Sequence, residues 1–238
     1  MVTEVYTVKS ISKSIWSISE GSVRMFLIEG EDKSLLIDTG FGGGNLKEFV
    51  ATLTQKPIMV VNTHSHIDHV GGNSNFDTVY AHSAEFYSIR KTTNTSYNSN
   101  FKLVNVKEGF VFSLGNCDLE VIDIPGHTPG SIAILDRKNR MLFSGDSLQT
   151  GPVYILTEGS SIEAFIYSMQ HLLDIKYRYE TIYPSHNQEV IDSSFAEELI
   201  NCAKATITGN LTGETTTSAF GQKCKIYRWG KVALLYND

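Results

Sequence analysis

The stretch PIMVVNTHSHIDHVGG, residues 57–72, constrains the fold more than any other part of the chain. Its first half, PIMVVNTH (57–64), is a short apolar and β-branched run, the pattern of a buried strand. Its second half crowds three histidines and an aspartate into six positions, His64 to His69. His64 and His66 are two apart where the strand ends, so an extended backbone turns both imidazoles to one side. Two imidazoles on one face begin a metal site. Asp68 and His69 follow past the strand end, where Gly71-Gly72 let the chain turn, and they address a second metal position beside the first. The fold must therefore deliver a buried strand to a metal-competent edge.

The rest of the chain supplies elements for that purpose. VRMFLIEG (23–30) and KSLLIDTG (33–40) flank a polar turn at Glu31-Asp32 and read as a hairpin. Leu46, Phe49, Val50 and Leu53 have the spacing of a helix with one buried face. TVYAH (78–82) is a further strand, with a helix from Ser83 to about Lys91, followed by the polar stretch TTNTSYNSN (92–100), a loop or a flap over a site. In the second half FKLVNV, FVFSLG, DLEVIDIPG, SIAILD and RMLFSGD read as strands. Ser160 and Glu163 fit a capping box for a helix from about Ile162, and Ser194 with Glu197 fits another. TIYPSH (181–186) is one more strand, and the tail KCKIYRWGKVALLY closes as a hairpin near Trp229-Gly230. Strands ending in an aspartate, SLLIDTGF and MLFSGDSL, occur once in each half, and alternating strands and helices predict sheets covered by helices.

No linker divides the 238 residues, which predicts a single domain over 1–238. A net charge of −6 argues against nucleic acid as a partner, because phosphate binding rests on clustered Lys and Arg. Cys117, Cys202 and Cys224 are odd in number and far apart, fitting neither a disulfide framework nor a thiolate zinc site. The N-terminus lacks the apolar run of a signal peptide and no segment has the length of a membrane span, so a cytoplasmic protein without membrane contact is expected. Oligomeric state is not readable.

Three distant residues look like partners of the cluster. His127 in DIPGHTPGS, Asp146 in LFSGDS and His186 in YPSHN each stand at a strand-to-loop junction. A sheet fixes the backbone there while the loop leaves room for a substrate. His82 and His171 have no such context and read as structural.

With these motifs in order, THSHIDHVGG, PGHTPGS, SGDS and YPSH, preceded by LLIDTG, the chain resembles the metallo-β-lactamase superfamily. The resemblance is to its bridging-aspartate branch, which includes glyoxalase II and acyl-homoserine lactonases. It implies an α/β fold, a four-layer αββα sandwich with the metals at one edge of the sheets. It implies that His64, His66 and His127 hold one metal, that Asp68, His69 and His186 hold a second, and that Asp146 bridges them. Asp38, in IDTG, is not a ligand in the family and is expected to support the cluster's backbone or a ligand imidazole. Five imidazoles and two carboxylates suit two Zn²⁺ per chain, with Mn²⁺ or Fe²⁺ as alternatives. The implied reaction is attack of a metal-bridging hydroxide on an ester, thioester, lactone or related carbonyl of a small-molecule substrate, with Asp68 and Asp146 in the catalytic set.

Departures from the family narrow this. True β-lactamases usually carry Cys or Ser where Asp146 stands, which counts against β-lactam hydrolysis. Lactonases place a tyrosine three residues after the bridging aspartate; here that residue is Gln149, with Tyr154 able to reach a similar place from the following loop. Glyoxalase II adds a helical C-terminal domain for glutathione, whereas the tail after His186 is short and ends as strand. Ile67, Gln149 and Tyr154, all close to ligands, are the candidate substrate contacts. The alternatives are an iron-dependent enzyme resembling sulfur dioxygenases, a β-lactam or phosphodiester hydrolase, and a catalytically silent metal-binding scaffold.

Overall fold

Sixteen strands and five α-helices occur among the described residues of the computed structural model, which are 5–93, 100–207 and 213–237. The chain divides into two compact units, residues 1–121 and 122–238.

The first unit is built on a seven-stranded sheet in sequence order. Strands β1 (Thr7–Ser12), β2 (Ile15–Glu20), β3 (Val23–Glu29) and β4 (Ser34–Ile37) pair antiparallel, and β5 (Ile58–Val61), β6 (Thr78–Ala81) and β7 (Lys102–Asn105) continue in parallel. The parallel half needs crossovers, and helices supply them. Helix α1 (Leu46–Ala51) lies between β4 and β5, α2 (Ile67–Val70) between β5 and β6, and α3 (Phe86–Thr93) between β6 and β7. Leu46 and Val50 of α1 pack with Leu36, Val60, Val70 and Val79 in this unit's own core. Every residue of β4 is buried, as expected of a strand covered on both faces. Strand β8 (Val111–Ser113) forms a hairpin with β9 (Asp118–Asp123), the strand in which the unit boundary falls.

In the second unit β9 is followed by β10 (Ile132–Asp136), β11 (Met141–Gly145) and β13 (Thr181–Pro184), in the sheet order β13-β11-β10-β9. A second sheet has the order β12-β16-β15-β14, from β12 (Gly151–Ile155), β14 (Glu214–Thr217), β15 (Lys223–Trp229) and β16 (Val232–Tyr236). Helices α4 (Ile162–Asp174) and α5 (Ser194–Ile207) bury Phe165, Met169, Leu172, Leu199 and Ala203 against Leu135, Leu142, Ile182 and Leu234.

Several local readings shift. The cap of α4 is Ser161, whose hydroxyl accepts from the Ala164 N–H at 3.2 Å; Ser160 instead donates to the His127 carbonyl at 2.9 Å. Ser194 is the first residue of α5, and its N–H is met by the Asp192 carboxylate at 2.8 Å. Strands β1, β2, β12 and β14 carry no clear sequence signal. Of the polar stretch 92–100, Thr92 and Thr93 close α3, and residues 94–99 lie outside those described.

Candidate metal centre

In the first unit the site grows from two parallel strand ends. Ile37 of β4 pairs with Val61 of β5, so Asp38 and the run Asn62-Thr63-His64 leave the sheet side by side. The Asp38 N–H donates to the Val61 carbonyl at 2.8 Å. Its backbone is left-handed, φ 64°, a conformation Asp tolerates better than most residues. The carboxylate is fully buried. Its Oδ1 accepts from the Thr63 N–H at 2.7 Å, and its Oδ2 accepts from the Thr63 hydroxyl and from His69 Nδ1, both at 2.8 Å.

This arrangement fixes two imidazole tautomers. Thr63 has one hydroxyl proton and gives it to Asp38, so the 3.1 Å contact between Thr63 Oγ1 and His64 Nδ1 must have the imidazole as donor. His64 and His69 then both carry their proton on Nδ1 and their lone pair on Nε2. His64 Nε2 lies 3.0 Å from His66 Nδ1. Two nitrogens sharing one tetrahedral ion at about 2.05 Å would stand about 3.3 Å apart. His66 is extended, φ −66° and ψ 151°, and precedes the first turn of α2, which carries Asp68 and His69. Asp68 Oδ2 lies 3.5 Å from His69 Nε2.

A buried amide network holds that turn. The His69 carbonyl accepts from the Thr39 N–H (2.9 Å) and the Asn62 amide (3.0 Å), and lies 3.1 Å from the Thr39 hydroxyl, whose single proton goes to the nearer Asn73 Oδ1 at 2.9 Å. Asn73 accepts from Thr39 and Asn62 and donates back to Asn62. Gly71 and Gly72 do more than permit a turn: a Cβ on Gly71 would lie 2.2 Å from the Phe41 carbonyl oxygen, and one on Gly72 2.5 Å from that of Thr39. Only glycine lets α2 approach the 39–41 backbone so closely. Thr39, Asn62, Thr63 and Asn73 are functional supports that the sequence did not announce.

The second unit presents its three residues from loops. Strands β11 and β13 are parallel, Gly145 pairs with Pro184, and the Ser185 N–H donates to the Gly145 carbonyl at 3.0 Å. Asp146 and His186 therefore emerge together, with His186 Nε2 3.5 Å from Asp146 Oδ2. His127 Nε2 lies 3.9 Å from the same oxygen. His127 is buried, and its Nδ1 donates to the Tyr154 carbonyl at 2.6 Å, which again leaves the lone pair on Nε2. Gly126 makes this loop feasible, since a Cβ there would meet the Phe165 Cα at 2.4 Å.

The remaining candidates are placed as follows. Ile67 is 39% exposed beside the ligand turn. Gln149 is only 3% exposed, its amide donating to the Pro152 carbonyl at 3.1 Å and accepting from Asn187 at 3.3 Å. The Tyr154 ring packs against Phe220, edge to face at 6.0 Å, while its carbonyl serves His127. His82 caps a short 3-10 turn by accepting the Ala84 N–H, and His171 lies on α4. The three cysteines are buried, and burial pushes the Cys202 thiol up to about 12.

Residues 18–186 match the model of the metallo-β-lactamase superfamily. The chain belongs to that superfamily. Among curated relatives it is similar to acyl-coenzyme A thioesterase MBLAC2 of Gallus gallus, 28% identical over 203 residues, covering 71% of this chain and 73% of that one. It is also similar to a hydroxyacylglutathione hydrolase of Bdellovibrio bacteriovorus, 27% identical over 187 residues, covering 76% of this chain and 69% of that protein. A solved structure, the metallo-β-lactamase from Pontibacter korlensis, aligns with TM-score 0.69 at 20% identity, covering 84% of this chain and 99% of that one. The fold is the α/β sandwich of the metallo-β-lactamase type, and the chain is a hydrolytic enzyme of that superfamily. Its His and Asp groups are able to bind metal, as is typical of the superfamily. Among the described residues no helix is long and apolar enough to cross a membrane.

Proposed function

We propose that this chain holds two divalent ions, zinc by preference, and that the enzyme hydrolyses thioesters of small-molecule carriers. In this reading, carried over from the superfamily's motifs, His64, His66 and His127 would hold one ion, Asp68, His69 and His186 the other, and Asp146 would be shared by both. The observation that carries it is the tethering of Nδ1 in three imidazoles: His64 to Thr63, His69 to Asp38, and His127 to the Tyr154 carbonyl. Such tethers are what orient ligand histidines and raise their basicity. Each of the three imidazoles has its Nδ1 held by one acceptor, which leaves the Nε2 lone pair of each available to a metal.

Ions bound there supply Lewis acidity and bring a water's ionisation near neutral pH. The chain's own residues do the rest. The imidazoles are neutral donors, and the two carboxylates offset half of the ions' charge, leaving the site able to attract a developing oxyanion. Asp68, buried beside His69, would take the proton of the water as its oxygen bonds to the thioester carbonyl, and return it to the thiolate that leaves when the C–S bond breaks.

The thioester assignment is supported by both curated relatives, whose names describe removal of an acyl group from a thiol carrier. Asp146 argues against the β-lactam reaction, and Gln149 against the lactonase pattern. The test is a panel of acyl-coenzyme A, acylglutathione, acyl-homoserine lactone and bis-p-nitrophenyl phosphate substrates. Each is assayed with zinc-, manganese- and iron-loaded enzyme and scored by kcat/KM. Thioesters with zinc should lead the panel. Dominant iron with oxygen uptake would instead establish a dioxygenase, and a leading lactone or phosphodiester would replace the substrate assignment.

A further inference from the structure

The outer edge of β12 binds the loops that carry two of the second unit's three ligand residues. In the β12-β16-β15-β14 sheet β12 is an edge strand, pairing among the described residues only with β16, in the parallel register Gly151↔Val232 to Ile155↔Tyr236. The Gly151 N–H donates to the Lys231 carbonyl at 3.1 Å, so Gly151, Val153 and Ile155 turn their backbone polar groups toward the partner strand. Alternation then points those of Pro152 and Tyr154 outward. Pro152 has no N–H to leave exposed, which is why a proline is tolerated at that edge position. Neither outward carbonyl is idle. Tyr154 O accepts from His127 Nδ1 at 2.6 Å, and Pro152 O accepts from the Gln149 amide at 3.1 Å. Gln149 in turn receives the Asn187 amide at 3.3 Å, one residue past His186, and a Cβ on Gly151 would already press on that Asn187 side chain at 3.0 Å.

We infer that Gln149 is a positioning residue: with Pro152 and Tyr154 it makes the β12 edge a template that sets His186, through Asn187, and His127 in their metal-binding orientations. This replaces the substrate contact that its closeness to Asp146 suggests. Its burial leaves little surface for a substrate, and both ends of its amide are committed. The inference has a corollary. The superfamily match ends at residue 186, whereas β16, which holds β12 in register, lies at 232–236. The C-terminal hairpin is thereby part of the metal-binding apparatus.

The inference rests on the metal-site reading above, so the readout is zinc affinity, by competition with a chromophoric chelator, on the full chain. Gln149→Leu removes both amide bonds at similar volume. Asn187→Gly removes the other end of the same contact on an exposed residue at φ 58°, a conformation glycine adopts freely, and it carries the test alone if the leucine variant fails to fold. Each should weaken the more loosely held zinc roughly 10- to 100-fold, with circular dichroism unchanged. The double variant should lose no more than the worse single variant, because both break one chain of contacts. Zinc affinity equal to that of the unaltered chain, losses that multiply, or a raised KM for thioesters with zinc binding intact would each overturn the inference. An unaltered chain that takes up no zinc would overturn the metal-site reading and this inference together; equal binding by all variants would overturn this inference alone.

Discussion

The two units prepare their proposed metal ligands by different means. In the first, four ligand residues lie within six positions, and side chains support them: one buried aspartate acts on His69 directly and on His64 through Thr63. In the second, the ligands lie 19 and 40 residues apart along the chain, and His127 leans on a backbone carbonyl. A side-chain support is removed by one substitution. A carbonyl support survives any substitution of its own residue and fails only if the strand moves. The first unit should therefore be fragile at Asp38 and Thr63, and the second tolerant at Tyr154 but sensitive to whatever holds β12.

The largest effect is expected at Asp146, the proposed shared ligand. Asp146→Ala should bind one zinc in place of two and lose about a thousand-fold or more in kcat/KM, measured by metal analysis and thioester turnover. Two zincs with full activity would contradict the bridging role. Next comes Asp38→Asn, which keeps the shape and the tolerance of a left-handed backbone but cannot accept all three bonds. Zinc affinity should fall roughly 10- to 100-fold. Thermal unfolding should also report a loss of about 2–3 kcal/mol, from buried donors left unmatched. Thr63→Val cuts only the relay to His64 and leaves the Asp38–His69 bond in place. A smaller loss, about 10-fold and confined to one ion, is the expected result of the same chelator assay. Tyr154→Phe sharpens the contrast from the other side: it spares the carbonyl, so zinc affinity should stay within about two-fold. The smallest effect separates the adjacent serines. Ser161→Ala should cost about 1 kcal/mol of stability through the lost α4 cap, without any change in metal binding.

What the sequence disclosed follows the same division. The His64–His69 cluster was legible because its chemistry is contiguous and its strand is apolar and β-branched. His127, Asp146 and His186 were legible as residue types at strand ends, since β11 and β13 stop where Gly145 and Pro184 stand. Asp38 was legible from the strand it terminates, but the reach of its carboxylate to Thr63 and His69 depends on the parallel pairing of β4 with β5. The expected capping box does not form, because Ser160 is drawn to the His127 carbonyl and Ser161 caps the helix through the Ala164 N–H instead. The support for His127 had no residue signature at all, because a carbonyl belongs to every residue. Its trace was indirect: Pro152 is compatible with an edge strand, and Gln149 is a buried polar side chain just before it.

The most direct test of the account is zinc titration of the metal-stripped enzyme, followed by metal content per chain and by acyl-thioester hydrolysis in the same samples. Saturation at two zinc ions per chain is expected, with turnover appearing as the sites fill. Saturation at one ion with full activity, or occupancy that brings no thioester hydrolysis, would contradict it.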